Sequence, residues 1–432
     1  MSMESPASSV VYCLLPSCAQ EHAKELVYCR FLSIEGFLKN SDDSPRCPRL
    51  SVKELSQKWS RLKVALVHDW LLGTRGGERV FELLCGTFPQ ASVLTLLYKR
   101  EVSGPMVNAH RVRTSFLQWI PRVERFHRYL LPLMPMAIES LALPDADLVV
   151  SSSHCVAKGV RPKPGTRHLC YCHSPMRYAW GFKDEYFGHR TVKSVLATPM
   201  LAALRRWDRT TSSRVDRFVA NSMNVKRRIR KYYGRDADVV HPPVDTEHWT
   251  PGGRQPGDFD LVVSGLSALK RVDLAVRAYT TMGRKLLIVG EGPMRKQLEG
   301  MGGPSVKFLG RLRDDEILDL YRSCRLLVFP GVDDFGMVPV EVQACGRPVV
   351  AFACGGALET VKSEVTGFLF HEQTEDALID AVEKCEAYEW NPEVIRSHAL
   401  DFGIEAFLQG LSVSIKRCLG SGGTEKDQQD SR

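Results

Sequence analysis

The run Lys63-Val64-Ala65-Leu66-Val67-His68-Asp69-Trp70, followed by Gly73-Thr74-Arg75-Gly76-Gly77-Glu78, decides how this chain folds. A short apolar run that breaks into polar residues and glycines, then enters a helical stretch, is one strand–loop–helix unit of a buried parallel sheet. The unit recurs. Further apolar runs lie at Ser92 to Leu97, Leu148 to Ser151, His168 to Cys172, Arg217 to Ala220 and Val239 to Val240. A break follows at Pro242-Pro243-Val244-Asp245 and Pro251-Gly252-Gly253-Arg254-Gln255-Pro256-Gly257. The alternation then restarts with Asp260 to Ser264, Lys285 to Val289, Val306 to Leu309, Leu326 to Phe329 and Pro348 to Ala353. The pattern predicts an α/β chain of two Rossmann-like, doubly wound parallel-sheet domains joined by a proline-glycine linker.

Length and composition agree. At 432 residues the chain exceeds what one core serves, and 44% hydrophobic with 25% charged residues is ordinary globular composition. No run approaches eighteen consecutive apolar residues, which excludes a membrane-spanning helix. The net charge of +8 is local: residues 205 to 231 hold ten Lys/Arg against Asp208 and Asp216. Such a segment is either a solvated face or a surface for a phosphate-bearing partner or anionic membrane. With few aromatics among these charges, nucleic-acid binding is disfavoured. Thirteen scattered cysteines without a C-x-x-C pair point to free thiols in a reducing cytosol; Cys170 and Cys172 share one face of a strand.

These signals set the expected domains. Residues 1–62 form an extension of unknown role, with an amphipathic helical pattern from Glu21 to Asn40. Glu4 and the absence of early Lys or Arg argue against a secretory signal. A first domain spans 63–245, a linker 246–258 and a second domain 259–402. Residues 403–420 are expected to form a helix packing back on the first domain, and 421–432 a polar disordered tail.

In open parallel sheets, ligands bind beyond the carboxyl ends of the strands. That edge collects His68-Asp69, Gly76-Gly77 and His173-Ser174-Pro175 in the first half. In the second half it collects Lys270-Arg271, Glu291-Gly292-Pro293, Gly331 to Gly336 and Gly355-Gly356. The block Asp333-Asp334-Phe335-Gly336-Met337-Val338-Pro339-Val340-Glu341 brings acids and a glycine to a helix expected to begin near Pro339. Main-chain N–H groups of residues 335 to 338 would face a ligand there, with Glu341 in the first turn. Alternatively, that glutamate only stabilises its own helix dipole. Asp145-Ala146-Asp147 and Asp236-Ala237-Asp238 precede strands, on the wrong edge for a catalytic metal. Neither a P-loop nor a G-x-G-x-x-G fingerprint is present.

Taken in order, these pieces resemble the retaining nucleotide-sugar glycosyltransferases of family 4, with the GT-B fold. The resemblance spans about Lys63 to Leu419 and includes Cys172-His173-Ser174-Pro175-Met176-Arg177-Tyr178, His241-Pro242-Pro243-Val244-Asp245 and Lys270-Arg271-Val272-Asp273. It is nearest to bacterial mannosyltransferases that build surface polysaccharides. It implies an interdomain cleft, a nucleotide-diphosphate sugar donor with GDP-mannose favoured, and a saccharide or lipid-linked acceptor. The enzyme would need no metal or cofactor. It would work in the cytoplasm, in peripheral contact with an anionic membrane.

The resemblance also assigns roles. Asp333 would contact the donor sugar and Glu341 hold the ribose hydroxyls. Lys270 would neutralise the diphosphate, and His173 would sit near the donor sugar. Main-chain amides of Phe335, Gly336, Met337 and Val338 would bind sugar hydroxyls and phosphate, while Gly76 and Gly77 close from the other domain. Gly310 and Arg311 would line the base pocket. Two residues depart from the family pattern. Asp333 replaces a glutamate, shortening the reach by roughly 1.5 Å, and Gly265 replaces an arginine for which Arg271 or Arg75 stand as substitutes. These departures keep a second reading open, a nucleotide-sugar-binding protein of weak catalysis. A third, a polyanion-binding protein, rests on the basic segment alone.

Overall fold

The computed structural model describes residues 57–73, 76–181, 192–253 and 255–420, with the backbone alone for 192–197. The expected helix over Glu21 to Asn40, Arg75 and the tail from 421 lie outside the described residues.

The first lobe is built on seven strands: β1 (Val64–His68), β2 (Ser92–Thr95), β3 (Val112–Thr114), β4 (Leu148–Ser153), β5 (Arg167–Cys172), β6 (Arg217–Ala220) and β7 (Ala237–Val239). They lie in the order β3-β2-β1-β4-β5-β6-β7, every pair parallel. The second lobe has β8 (Asp260–Val263), β9 (Leu286–Val289), β10 (Val306–Gly310), β11 (Leu327–Phe329), β12 (Val349–Phe352) and β13 (Gly367–Phe370). Their order is β10-β9-β8-β11-β12-β13, again all parallel. Strand order therefore reverses between β1 and β4 and between β8 and β11. At such reversals, helices leave to opposite faces of the sheet and a crevice opens beyond the strand ends.

Eight helices carry the argument: α1 (Gly76–Thr87), α2 (Val192–Thr211), α3 (Met223–Tyr233), α4 (Val272–Met282), α5 (Asp314–Ser323), α6 (Met337–Ala344), α7 (Ala357–Thr360) and α8 (Ile404–Gly420). Helix α3 shows how the sequence fixes such an element. Ser222 caps it by accepting from Val225 N at 3.1 Å, Gly234 ends it at φ +67°, and Val225, Ile229 and Tyr233 form its buried stripe. Helix α8 returns to the first lobe, where Phe407, Leu408, Leu411 and Ile415 join Leu66, Val150 and Tyr171 in one core. Each such side chain contributes about 1.5–3 kcal/mol on burial, enough to hold the return crossing.

Two strands had no counterpart in the sequence pattern. β3 is a three-residue edge strand, Val-Arg-Thr, and β13 is an edge strand opening on Gly367. A Cβ on Gly367 would stand 1.9 Å from Val349 O, so glycine is required by the pairing. The basic segment 205 to 231 is not one face. Arg214 bonds Glu139 at 2.8 Å, Arg217 grips Asp238 at 2.6 and 2.8 Å, Lys226 pairs with Asp236, and Arg228 reaches across to Asp334. The nine described cysteines are all buried. Cys170 and Cys172 pack in a core with Phe218 and Val225.

Candidate active site in the interlobe crevice

The first-lobe wall grows from the ends of β1, β4 and β5. Asp69 is fully buried and accepts main-chain N–H bonds from His154 (2.7 Å), Cys155 (3.0 Å), Val156 (2.6 Å) and Ala157 (2.7 Å). Its Oδ2 also stands 3.0 Å from His154 Nδ1. Burial opposes the charge, but His154 outweighs it and holds the carboxyl well below the usual carboxylate range. The same pairing, acting against burial, raises the pKa of His154. Burial pushes His68 down to about 4 and His173 down to about 3, so both are neutral imidazoles. Gly76 and Gly77 open α1 between the walls. A Cβ on Gly76 would meet Met337 Sδ at 3.1 Å, and one on Gly77 would meet the His173 ring at 3.7 Å.

The second-lobe wall is the loop between β11 and α6. Gly336 takes φ +87° and caps α6, which starts at Met337 rather than near Pro339. Glu341 consequently lies in the second turn, not the first. The helix dipole therefore does not hold its charge, a correction to the dipole reading. Instead Glu341 is buried, accepts from Tyr321 Oη at 3.0 Å, and faces Arg79 Nη1 of α1 at 3.7 Å. Burial raises its pKa despite Arg79 and Tyr321. Lys270 Nζ pairs with Asp333 Oδ1 on the same wall. Gly355 and Gly356 press against this loop: a Cβ on either would lie 2.3 Å from Asp333 O or 2.1 Å from Phe335 O.

Contacts across the crevice hold the walls together. Asp334, second of the acidic pair, accepts from Arg177 Nε at 2.8 Å and Arg228 Nη1 at 2.7 Å. Ser222 Oγ donates to Asp334 O at 2.6 Å. Glu359 of α7 accepts the N–H groups of Met223 (2.8 Å) and Asn224 (3.1 Å) at the start of α3 and contacts His241 Nε2 at 3.1 Å. Arg79 Nη2 donates to both oxygens of Asp314 in α5, at 2.9 and 2.7 Å. His241 and Phe335 stack with centroids 5.3 Å apart.

Most sequence-derived site residues therefore share this crevice. His173, Gly76 and Gly77 lie on one wall; Lys270, Asp333, Phe335, Gly336, Met337, Val338 and Glu341 lie on the other. Arg271 does not extend to that group. It adopts φ +47° and spends its guanidinium on Asp273 (3.2 Å) and Gln373 (3.0 Å). A Cβ on Gly265 would have its nearest neighbour, Glu291 O, at 4.0 Å, so the space for a side chain exists and is unused. Gly310, at φ +73°, ends β10 against Glu291 and Arg295, with Arg311 exposed beside it. Both D-x-D triplets serve structure: Lys163 pairs with Asp145, Asp147 accepts from Lys63 N, and Asp238 lies within β7. Among the described residues no group of three His, Cys, Asp or Glu is placed to hold a metal ion.

Sequence reasoning gave no role to Asp69, Arg79, Ser152, His154, Arg177, Asp334 or Glu359. Asp69 and Asp334 carried a signal, since each follows a strand at the ligand-binding edge. Arg79 and Glu359 carried none, because their partners belong to the opposite lobe.

Two family patterns match in tandem. Residues 74–248 match Glycosyltransferase Family 4, and residues 245–399 match Glycosyl transferases group 1. The two matches lie side by side over residues 74–399, one on each lobe. The chain is 30% identical over 244 residues to the D-inositol 3-phosphate glycosyltransferase of Mycobacterium tuberculosis H37Rv, covering 49% of this chain and 51% of that protein. The chain thus spans about half the length of the curated relatives it matches. Solved structures share its GT-B fold. Sucrose-phosphate synthase from Thermosynechococcus elongatus has a TM-score of 0.63 at 19% identity, covering 84% of this chain and all of that one. HepE from Anabaena, in complex with UDP, has a TM-score of 0.59 at 18% identity, covering 82% and 100%. The lipopolysaccharide outer core galactosyltransferase WaaB gives 0.60 at 15% identity, covering 82% and 99%.

Proposed function

We propose that this chain is a family 4 glycosyltransferase that moves a hexose, mannose from GDP-mannose first among donors, to a saccharide or lipid-linked acceptor, with retention and without a metal. The observation that carries the reading is the convergence of Lys270, Asp333 and Glu341 on one wall of a crevice whose other wall is Gly76, Gly77 and His173. Breaking a sugar–phosphate bond builds negative charge on the diphosphate and positive charge on the anomeric carbon. Lys270 and the helix start at Met337 would stabilise the first. Asp333, with its partner Lys270 drawn towards phosphate, would stabilise the second. Glu341 would accept from ribose hydroxyls, which needs its ionised form. Retention follows if the leaving phosphate takes the acceptor's proton on the face it departs from.

An acceptor carried at an anionic membrane fits the surface beside β3. Trp119 and Tyr129 are 83% and 85% exposed, Leu133 and Met136 are exposed, and Arg122, Arg125 and Arg128 lie among them. Aromatic rings with arginines suit a headgroup layer. Among the described residues no helix is long and apolar enough to cross a membrane.

A panel of nucleotide sugars, read by thermal shift and by transfer of labelled sugar, tests the proposal. GDP-mannose should give the largest shift and turnover, and Glu341→Ala should abolish both. Binding without turnover across the panel would instead favour the weakly catalytic reading, and full activity in Glu341→Ala would remove the site assignment.

A further inference from the structure

Ser152 joins two imidazoles. The β1–β4 register sets His68 beside Ser152, and His68 Nδ1 lies 3.1 Å from Ser152 Oγ. One strand over, His173 Nε2 lies 2.8 Å from the same hydroxyl. His68 is fully buried, stacked on Phe81 with centroids 4.8 Å apart, and its Nε2 has no hydrogen-bond partner among the described residues. His173 is only partly buried, and its Nδ1 makes no hydrogen bond among the described residues.

Ser152 Oγ has one proton and, among the described residues, bonds only these two imidazoles, so to use that proton it donates to one neutral ring and accepts from the other. Two arrangements satisfy that rule. In the first, Ser152 donates to His68, which then buries an Nε2–H with nothing to accept it. In the second, His68 Nδ1–H donates to Ser152, Ser152 donates to His173 Nε2, and the orphan atom of His68 is a bare lone pair. Stranding a buried N–H is the costlier defect, and orphaned donors are rarer than under-used acceptors.

We infer that His68 and Ser152 are positioning residues that fix His173 as its Nδ1–H tautomer, making it a hydrogen-bond donor to an oxygen of the bound nucleotide sugar. The geometry stands without ligand; the identity of the acceptor oxygen rests on the proposed function. A donor on this wall strengthens as charge builds on a phosphate oxygen, so its alignment affects turnover more than ground-state binding.

Nitrogen-15 imidazole NMR on the unliganded full chain tests the inference, with the His173 signal identified by its loss in His173→Gln. The expected result is a protonated Nδ1 and bare Nε2 in the unmodified protein and in His68→Asn, whose amide can still donate to Ser152. In Ser152→Ala and His68→Leu the ring should revert towards Nε2–H. Ser152→Ala should also lower kcat about tenfold with KM little changed. An Nε2–H ring in the unmodified protein, or an unchanged Nδ1–H ring in Ser152→Ala, overturns the relay. Failure of every donor in the panel, with the tautomer pattern intact, would remove the proposed function and leave the relay standing.

Discussion

Replacing Asp334 with asparagine should open the crevice. The carboxylate is 7% exposed and is held from the first lobe by Arg177 and Arg228, whose side chains are 31% and 14% exposed. Burial opposes its charge, but the two guanidinium groups outweigh burial and keep its pKa below the ordinary value of 3.8. A folded-state pKa depressed in this way contributes stability above the unfolded value and loses it as pH falls through the folded one. The clamp is therefore fully charged at neutral pH. Asparagine keeps the shape, removes the charge and puts an NH2 donor where one carboxylate oxygen accepted, so only one of the two guanidinium groups keeps an acceptor. At about 1 kcal/mol for the contact that becomes neutral and about 2 kcal/mol for the one that is lost, the lobes lose about 3 kcal/mol of attraction, or roughly 100-fold in the closed-to-open ratio. Small-angle scattering should show a larger radius of gyration, and limited proteolysis should cut faster in the linker near Gly252-Gly253. Donor KM should rise. A variant with the parent's radius, cleavage rate and KM would refute the reasoning, since Asp334 would then not hold the lobes.

Two further outcomes follow from the second-lobe wall. Because burial raises the Glu341 pKa above its ordinary 4.5, donor affinity should fall on acidification at a higher pH than a solvent-exposed glutamate would give; titration calorimetry from pH 7.5 to 5 measures it, and Glu341→Gln should bind weakly at every pH with that acid limb gone. The raised value also means the ionised carboxyl costs folding stability, so that cost should diminish as pH falls through it. Gly356→Ala places a methyl 2.1 Å from Phe335 O, which only a shift of the β11–α6 loop relieves. Overpacking of this kind costs about 1–3 kcal/mol, and turnover should fall more than thermal stability because the displaced loop carries Asp333; a variant of unchanged kcat would show that the loop tolerates displacement.

The resemblance and the strand pattern had the same physical source: parallel strands buried on both faces must be apolar, and ligand groups must stand where those strands end. That made β1, β5 and β11 legible, together with His173 and the Asp333 to Glu341 block. Edge strands escape this rule. β3 and β13 bury one face poorly and leave a short, mixed pattern. The start of α6 was misplaced because Pro339 suits a first turn, while Gly336 at positive φ had already capped the helix. The basic cluster at 205 to 231 read as one surface because sequence distance hides which arginines turn inward towards Glu139, Asp238 and Asp334.

The sequence by itself determined two parallel-sheet lobes, the edge on which chemistry gathers, and the residue types offered there, since apolar periodicity and glycine placement are local properties of the chain. Tertiary structure alone decided which charges meet across the crevice: Asp334 with Arg177 and Arg228, Glu341 with Arg79, and the tautomer imposed on His173 through Ser152. Those pairings join residues as many as 262 positions apart, and only folding sets the distances on which electrostatic and hydrogen-bond energies depend.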